Sequence, residues 1–275
     1  MRKIFFFLII LLFLTPSVKA RAFDPKDFGM SDITEVDETE RNKDSFIGLA
    51  GGYHQSSFDS YNNNISTLNN DPILSSYGYK MDKLQGNTLD GKFSLGYRMG
   101  QHALVFGAGY FDQVKANSKW TAFGGAMGDT SVSAFFVDLT YRYYLKAPDK
   151  GTASYEVGTL VPYIGGGGGW YFGSWNFYDP YLSWTDLETG EQNNRVNGKG
   201  NNFGVHAVGG MEFFISPKVS LNFQVDYTYA IIREVSAKLT KSGDTVTEQI
   251  VYFGNEQLQL DLSGPSVLIG VNYHL

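Results

Sequence analysis

The sequence predicts an all-β protein, specifically an eight-stranded antiparallel up-and-down transmembrane β-barrel with long external loops and short periplasmic turns. Three observations lead to this prediction. Apolar and polar residues alternate with a period of two in many segments, as in strands whose two faces meet different surroundings. The 32 Gly, 18 Tyr and 21 Phe residues favour strands, and the absence of Cys excludes a disulfide framework. The connections between the segments are long at one end and short at the other.

The N-terminal residues 1–22 have the layout of a cleaved secretory signal. Arg2 and Lys3 give a positive start, residues 4–14 are an unbroken apolar run, and small residues follow between 18 and 22. The run is well short of the roughly 20 apolar residues that a membrane-spanning helix needs. We therefore predict removal of this segment and export of the rest.

Residues 23–44 form an acidic segment, which we predict to be poorly ordered and periplasmic. It holds eight Asp and Glu residues against three Lys and Arg residues. Without residues 1–20 the chain has 19 basic and 28 acidic residues, a net charge of −9. This balance excludes the basic surface that a nucleic-acid-binding protein requires. The predicted barrel then occupies residues 45–275.

Eight segments carry the strand pattern within the predicted barrel. They are residues 45–54, 88–99, 102–112, 135–145, 161–172, 203–213, 218–231 and 267–275. The connections are predicted to be long at 55–86, 113–130, 173–201 and 232–261, of medium length at 146–160, and short at 100–101 and 216–217. Tight turns on one side and long loops on the other are typical of up-and-down membrane barrels.

The segment FFVDLTYRYYL, residues 135–145, separates its side chains most clearly. Phe135, Leu139 and Tyr141 share one face, whereas Asp138 and Arg142 lie on the other. A soluble sandwich would turn the apolar face inward, and a membrane barrel would turn it to lipid. Polar faces that mix small residues with charges of both signs favour a narrow filled lumen. Tyrosines at the strand ends favour an aromatic girdle at the lipid headgroups.

Residues 264–275, GPSVLIGVNYHL, resemble the closing strand of the small bacterial outer-membrane β-barrels of the OmpA, OmpX and OmpW type. Gly270, Tyr273 and the alternate apolar positions match that strand, although Leu275 stands where an aromatic residue is usual. The stretches PYIGGGGGWYF, 162–172, and FISPKVSLNFQVDYTY, 214–229, are also similar to strands of this family. The resemblance implies a barrel in the bacterial cell outer membrane that is inserted by the barrel-assembly machinery.

The polar faces of the predicted strands supply a set of charged residues that we expect to face the lumen. An eight-stranded barrel is only wide enough for its interior side chains to fill, so the charges should pair with one another. This structural network is predicted to comprise Asp90, Lys92, Arg98, Asp138, Arg142, His206, Glu212, Asp226 and His274. The alternative interpretation is a catalytic or ion-conducting cluster.

The long loops are the predicted place of contact with an extracellular ligand, because they are rich in Tyr, Trp, Asn and Ser. Our candidates for this contact are Tyr61, Tyr77, Tyr79, Trp175 and Trp184. Solvated spacing among lipopolysaccharide chains is the alternative role of these loops. Outer-membrane lipid and lipopolysaccharide are the expected surroundings, and we expect a monomer that binds no nucleic acid.

These features favour a surface-exposed structural or interaction protein without enzyme activity or cofactor. Two other functions remain open. A narrow channel for ions or small solutes would use the lumen charges. A lipid-modifying enzyme would use the His-x-Ser pair formed by His54 and Ser56, for which we find no matching acid. The four His residues lie in separate segments, so no metal site is predicted.

Overall fold

A computed structural model describes residues 43–148, 155–182, 184–185, 192–193, 195–240, 246–253 and 256–275. The predicted signal segment, 1–22, lies outside the described residues, as does the predicted acidic segment except for its last two positions. Those two, Lys43 and Asp44, belong to the first strand. The strand thus starts two residues before the predicted barrel.

Strands dominate the described residues, with two helices after the first strand. In chain order the elements are β1 (Lys43–Gln55), α1 (Asp59–Asn69), α2 (Pro72–Ser76), β2 (Tyr79–Met81), β3 (Asn87–Met99), β4 (His102–Trp120), β5 (Ala126–Tyr144), β6 (Leu160–Tyr178), β7 (Trp184–Thr185), β8 (Gln192–Asn193), β9 (Arg195–Ser216), β10 (Val219–Tyr229), β11 (Ile231–Ile232), β12 (Ser236–Thr240), β13 (Val246–Ile250), β14 (Tyr252–Phe253), β15 (Glu256–Gln257), β16 (Leu260–Asp261) and β17 (Gly264–His274). Neither helix is long and apolar enough to cross a membrane, nor is any other helix among the described residues.

Eight long antiparallel strands form a closed ring, which confirms the predicted fold class. Strands β1, β3, β4, β5, β6, β9 and β10 pair in chain order, and β17 pairs with both β10 and β1. The first and last strands are therefore neighbours, with Phe46 opposite His274 and His54 opposite Ser266. A ring closed in this way leaves no unpaired edge in its wall.

The ring turns its apolar side chains outward, as the alternation in residues 135–145 predicted. On β5, Leu139 is 54% exposed, whereas Asp138 and Arg142 are 4% and 2% exposed. The other strands repeat this arrangement. One exposed apolar side chain from each strand of the ring is Leu49, Leu95, Phe106, Leu139, Ile164, Val205, Phe223 and Ile269. A continuous apolar outer surface of this kind suits the hydrocarbon of a bilayer and would be unfavourable in water.

Several strands run further than the sequence predicted. The prediction of a long connection over residues 113–130 is wrong, because β4 continues to Trp120, β5 begins at Ala126, and only 121–125 connect them. Strands β6 and β9 likewise extend into the predicted connection 173–201. The extension has a reason in packing. The inward residues Val114, Ala116 and Trp120 are buried against loop residues that are distant in sequence.

The connection after β1 is also folded more fully than predicted. Helix α1 turns Tyr61 and Ile65, four residues apart and hence on one face, into the interior, where both are fully buried. Helix α2 begins at Pro72, and the Asp71 carboxylate accepts hydrogen bonds from the backbone N–H groups of Ile73 and Leu74. The Asn-rich loop is therefore a folded cap over this end of the ring.

We expect Leu139→Arg to destabilise the barrel by about 2–4 kcal/mol, because it places a guanidinium in the lipid-facing surface. The measurement is the free energy of unfolding from a urea titration of the protein in lipid vesicles. Asn117→Arg is the matched control, since Asn117 is exposed on the extended part of β4, and it should cost less than about 0.5 kcal/mol. Equal losses at the two positions would show that Leu139 does not face lipid.

Candidate functional site

Polar side chains from facing strands meet inside the ring. Lys92 on β3 donates to Asp138 on β5 over 2.6 Å, and both side chains are buried. Thr140, the next inward residue of β5, bonds to Nε2 of His206 on β9 over 2.8 Å. These bonds cross the bore rather than follow the strands. They hold buried charges against partners, as a low-dielectric interior requires.

Arg142 occupies the next position along β5 and is held by three neighbours. Its Nη2 donates to Oε1 of Gln224 over 2.7 Å, its Nη1 lies 3.8 Å from Oε1 of Glu212, and its guanidinium carbon is 4.6 Å from the ring centroid of Tyr163. Gln224 in turn donates to both carboxylate oxygens of Asp226. The guanidinium therefore joins β5, β6, β9 and β10 across the bore.

A second group of polar side chains fills the end of the ring where the described chain starts and finishes. Asp44 accepts a hydrogen bond from Nη2 of Arg98 over 2.7 Å and lies 2.7 Å from Nδ1 of His274. The Arg98 guanidinium also lies 4.7 Å from the ring centroid of Tyr155, in the connection after β5. The Tyr155 hydroxyl donates to the carbonyl of Lys146. This end of the bore is therefore lined by paired charges and covered by an aromatic ring.

All nine residues of the predicted lumen network are buried. Within the described part of the chain, four ion pairs involve them, namely Lys92 with Asp138, Arg98 with Asp44, Arg142 with Glu212, and His274 with Asp44. His206 and Asp226 are joined through neutral side chains. Asp90 lies two residues from Lys92 on the same face of β3 and is 5% exposed. The structure thus brings the predicted residues together inside the ring, where most of them are joined by hydrogen bonds or ion pairs.

Several members of the network were not among the predicted residues. Asp44 was assigned to the acidic segment, although it shares strand parity with the inward-facing Phe46. Tyr144 and Asn272 donate to Glu212, each over 2.9 Å. Tyr163 donates to Gln224. The parity of the predicted strands marks Tyr144, Tyr163, Gln224 and Asn272 as inward-facing, but only Asp, Glu, Lys, Arg and His residues were selected from those strands.

The glycine run in β6 makes room for the charged side chains of β5. Gly165, Gly167 and Gly169 stand opposite Arg142, Thr140 and Asp138 in the register. A methyl group on Gly169 would lie 2.8 Å from the Asp138 Cβ. Any larger residue at these inward positions would crowd β5. The run is therefore a packing feature of the lumen network.

The opposite end of the bore is closed by an apolar cluster, which we call the cap core. Its members come from α1, β2, the extended parts of β4, β5 and β6, and the connection before β17. They include Phe58, Tyr61, Ile65, Tyr79, Met81, Val114, Trp120, Val132, Trp175, Ile232, Leu258 and Leu260. All of these side chains are at most 5% exposed. The cap core therefore lies directly over the polar lumen.

Three hydrogen bonds tie the cap core to the wall. The Tyr61 hydroxyl and the Thr130 hydroxyl are 2.9 Å apart, and Trp175 Nε1 donates to both of them. Burial raises the pKa of Tyr61 to about 12, so its hydroxyl stays protonated at neutral pH. Asn62 adds a reciprocal pair with the backbone N–H and carbonyl of Leu84. These bonds fix α1 against β5, β6 and the segment between β2 and β3.

The cap changes the role of three predicted loop contacts. Tyr61, Tyr79 and Trp175 are 0%, 4% and 0% exposed, so they hold the cap core and are not available to an external partner. This corrects the expectation that they form a contact surface. The reason is that the loop folds inward and uses its aromatic residues as core. Tyr77 is 46% exposed, whereas the side chain of Trp184 lies outside the described residues.

The His-x-Ser pair lies in a closed environment at the top of the β1–β17 seam. His54 and Ser56 are 0% and 4% exposed. His54 Nδ1 is 2.8 Å from the Ser266 hydroxyl, its Nε2 donates to the carbonyl of Leu262, and its ring stacks on Phe111 at 4.1 Å. Both ring nitrogens are thus engaged in structural bonds. The described residues contain no group of three or more His, Cys, Asp or Glu side chains that could hold a metal ion.

The fold is similar to solved outer-membrane proteins. A major outer membrane protein of Thermus thermophilus matches with a TM-score of 0.52 and 10% identity over 85% of this chain and 99% of that one. OprG of Pseudomonas aeruginosa matches at 0.45, with 14% identity over 84% and 96% of the two chains. The N-terminal barrel of OprF from the same organism matches at 0.38, with 12% identity over 86% and 98%. No protein-family model and no curated protein matches the sequence.

At these identities the similarity concerns the fold alone. The Thermus protein supports the fold that the strand register already gives, a closed eight-stranded antiparallel β-barrel. In this chain the lumen network and the cap core together occupy the bore.

Lys92→Met should lower the free energy of unfolding by about 3–5 kcal/mol, because it leaves the Asp138 carboxylate buried without its cation. Adding Asp138→Leu in the same chain should recover most of that loss. Urea titrations in vesicles of both single variants and the double variant measure the coupling. Lys146→Met, at an exposed position, controls for loss of a lysine alone. If the double variant lost as much stability as the sum of the single variants, the two side chains would not be coupled.

Proposed function

We propose that this chain is an outer-membrane β-barrel that closes its own lumen and acts as a surface-exposed structural or interaction protein through its capped end. The outer surface of the ring supports the membrane location. Around the belt its large exposed side chains are apolar on every strand, and Tyr97, Tyr141 and Tyr273 add aromatic rings near the strand ends. Such a belt with aromatic rims fits the hydrocarbon and headgroup layers of a bilayer.

The orientation of the barrel follows from its connections. The connections 56–86, 179–194 and 230–263 all leave the ring at the end that carries the cap core. The turns at 100–101 and 217–218 lie at the other end, together with the ends of β1 and β17. In outer-membrane barrels the short turns are periplasmic and the long loops are external. The cap is therefore assigned to the cell surface, among the sugars of lipopolysaccharide.

The observation that carries the proposal is the double closure of the bore. Side chains of β5 form hydrogen bonds across the lumen to side chains of β3, β9 and β10. The cap core covers the lumen at one end of the bore. A solute would have to break buried ion pairs and then displace a packed aromatic cluster. Both steps are costly, since buried charges and close-packed cores resist separation from their partners. What remains for function is the outside of the cap.

We expect no steady current when the purified protein is inserted in a planar lipid bilayer. Arg142→Gln removes one lumen charge while the cap core remains intact, so this variant should also give no steady current. Heat-modifiable migration on gels confirms that each sample is a folded barrel before it is inserted. A reproducible conductance step, and above all one that changes with Arg142→Gln, would contradict the proposal and favour a channel.

A further inference from the structure

The capped end exposes three aromatic rings, Tyr77, Phe123 and Tyr181, which we call the aromatic platform; the Phe123 ring contacts each of the other two. Each ring is between 42% and 50% exposed. The ring centroids of Tyr77 and Phe123 are 5.7 Å apart, and those of Phe123 and Tyr181 are 4.5 Å apart. The three residues come from three different connections. The fold therefore gathers three half-exposed aromatic side chains at the capped end of the ring.

Buried groups hold the platform from below. Trp120 lies 5.9 Å from Phe123 and 5.5 Å from Tyr181, measured between ring centroids, and is itself 3% exposed. The fully buried Asp179 accepts hydrogen bonds from Trp120 Nε1, the Ser118 hydroxyl and the backbone N–H groups of Tyr181 and Leu182. This carboxylate links the third connection to β4. The rings are thus fixed before any partner arrives, which lowers the entropic cost of binding.

Backbone contacts fix the first two connections against each other. The N–H of Ala122 donates to the carbonyl of Tyr77, and the Thr121 hydroxyl and N–H both donate to the carbonyl of Gly78. Gly78 has a φ of 68°, and a Cβ there would lie 2.8 Å from the Thr121 hydroxyl oxygen. Glycine is therefore needed for this close approach. It sets Tyr77 against the turn that carries Phe123.

Two lysines stand at the rim of the platform. Lys80 on β2 lies directly opposite Lys119 on β4, and both side chains are exposed. Like charges placed opposite each other across a strand pair are unfavourable. Within the described part of the chain, neither ammonium lies within ion-pair distance of a carboxylate. The buried neighbours Tyr79 and Trp120 fix this register, so the two positive charges are held together.

The lysines and the rings form one surface. The Lys119 side chain passes over the 121–125 turn, where a Cβ on Gly125 would lie 3.5 Å from its Cε. That turn carries Phe123. Asp82 and Asp129 are the nearest acidic residues on the neighbouring strands. Both lie beside Asn117, so neither is opposite Lys80 or Lys119. An anionic group bound next to the aromatic platform would therefore be attracted by the ammonium groups of both lysines.

The size of the surface indicates the size of its ligand. Three aromatic side chains, each about half exposed, offer on the order of 300 Å² of apolar surface. A standard protein interface buries about 800 Å² on each partner, so the platform is too small for one. It matches a ligand of a few rings. Sugar rings present an apolar C–H face that packs on aromatic rings, and acidic sugars add the negative charge that two lysines attract.

From these contacts we infer that Tyr77, Phe123 and Tyr181, with Lys80 and Lys119, form a binding site for an acidic saccharide. The sugar ring stacks on the aromatic platform, and its carboxylate or phosphate group lies between the two ammonium groups. The inference rests on the proposed function only for the assignment of this end to the cell surface. The ligand can come from the sugars of neighbouring lipopolysaccharide or from a free polysaccharide, since both carry the same chemistry.

The test is calorimetric titration of the detergent-solubilised protein with a trimer of galacturonic acid and with the neutral trimer of galactose. We expect the acidic trimer to bind and the neutral one to bind more weakly. Phe123→Leu keeps an apolar side chain but removes the ring, and it should weaken binding about tenfold, as expected for one interface anchor. The double variant Lys80→Gln/Lys119→Gln should weaken binding of the acidic trimer at least as much and abolish its dependence on salt.

Tyr97→Leu and Lys218→Gln are the matched controls, because both residues are exposed at the other end of the barrel. Both variants should bind the acidic trimer as the wild type does.

Competition by vesicles that contain lipopolysaccharide identifies a lipid-borne ligand. Binding of the trimer without such competition identifies a free polysaccharide. No binding, or loss in the lysine variant without loss in Phe123→Leu, overturns the inference. Because the titration uses detergent-solubilised protein and measures no current, its failure is separate from that of the proposed function.

Discussion

The pairing between β1 and β17 is the constraint on which the rest of the structure depends. In a bilayer every backbone N–H and C=O group must be bonded within the protein, so a ring of strands is viable only when its first and last members meet. Here they do so from Phe46 opposite His274 to His54 opposite Ser266. Side chains reinforce both ends of this seam, through Asp44 with His274 and through His54 with Ser266. Once the seam closes, strand parity decides which residue faces lipid and which faces the bore.

The same strands pass through two surroundings, and their chemistry reverses between them. Within the apolar belt, β5 turns Leu139 outward and Asp138 inward; nearer the cap it turns Asp129 outward and Val132 inward. Strand β4 changes on its outer face, from Leu104 and Phe106 to Lys115 and Asn117, and its register shift between Phe111 and Val114 lies at the change. The reason is the solvent outside the wall. Where the wall faces lipid, an apolar interior adds no hydrophobic stabilisation, because the surroundings are already apolar. Where the wall faces water, burying apolar side chains in the interior does stabilise the fold. The barrel thus carries a water-soluble type of core on top of a membrane type of interior.

Much of the wall could be predicted from the sequence, and the cap could not. Alternation identified eight strands and placed residues such as Leu139 and Arg142 on the correct faces, because period-two parity is a local property. The extension of β4 to Trp120 depends on partners distant in sequence, because the Trp120 ring packs on Tyr79 and donates to the carboxylate of Asp179, 59 residues away. For the same reason Tyr61 was expected at the surface. Its burial depends on Thr130 and Trp175 being brought together by the ring. Ion-pair partners such as Asp44 with Arg98 were likewise beyond the local pattern.

The native tryptophans allow the most direct test that the wall faces lipid and the interior is sealed. Trp170 is 46% exposed on the outer face of β6, and Trp175 is 0% exposed in the cap core of the same strand. Variants that keep only one of the two, with the other tryptophans replaced by Phe, can be folded in vesicles of brominated lipid. Trp170 fluorescence should be quenched strongly by the lipid, and Trp175 fluorescence should be quenched neither by the lipid nor by aqueous acrylamide. Quenching of Trp175 by acrylamide, or of Trp170 by acrylamide alone, would contradict a sealed barrel in a membrane.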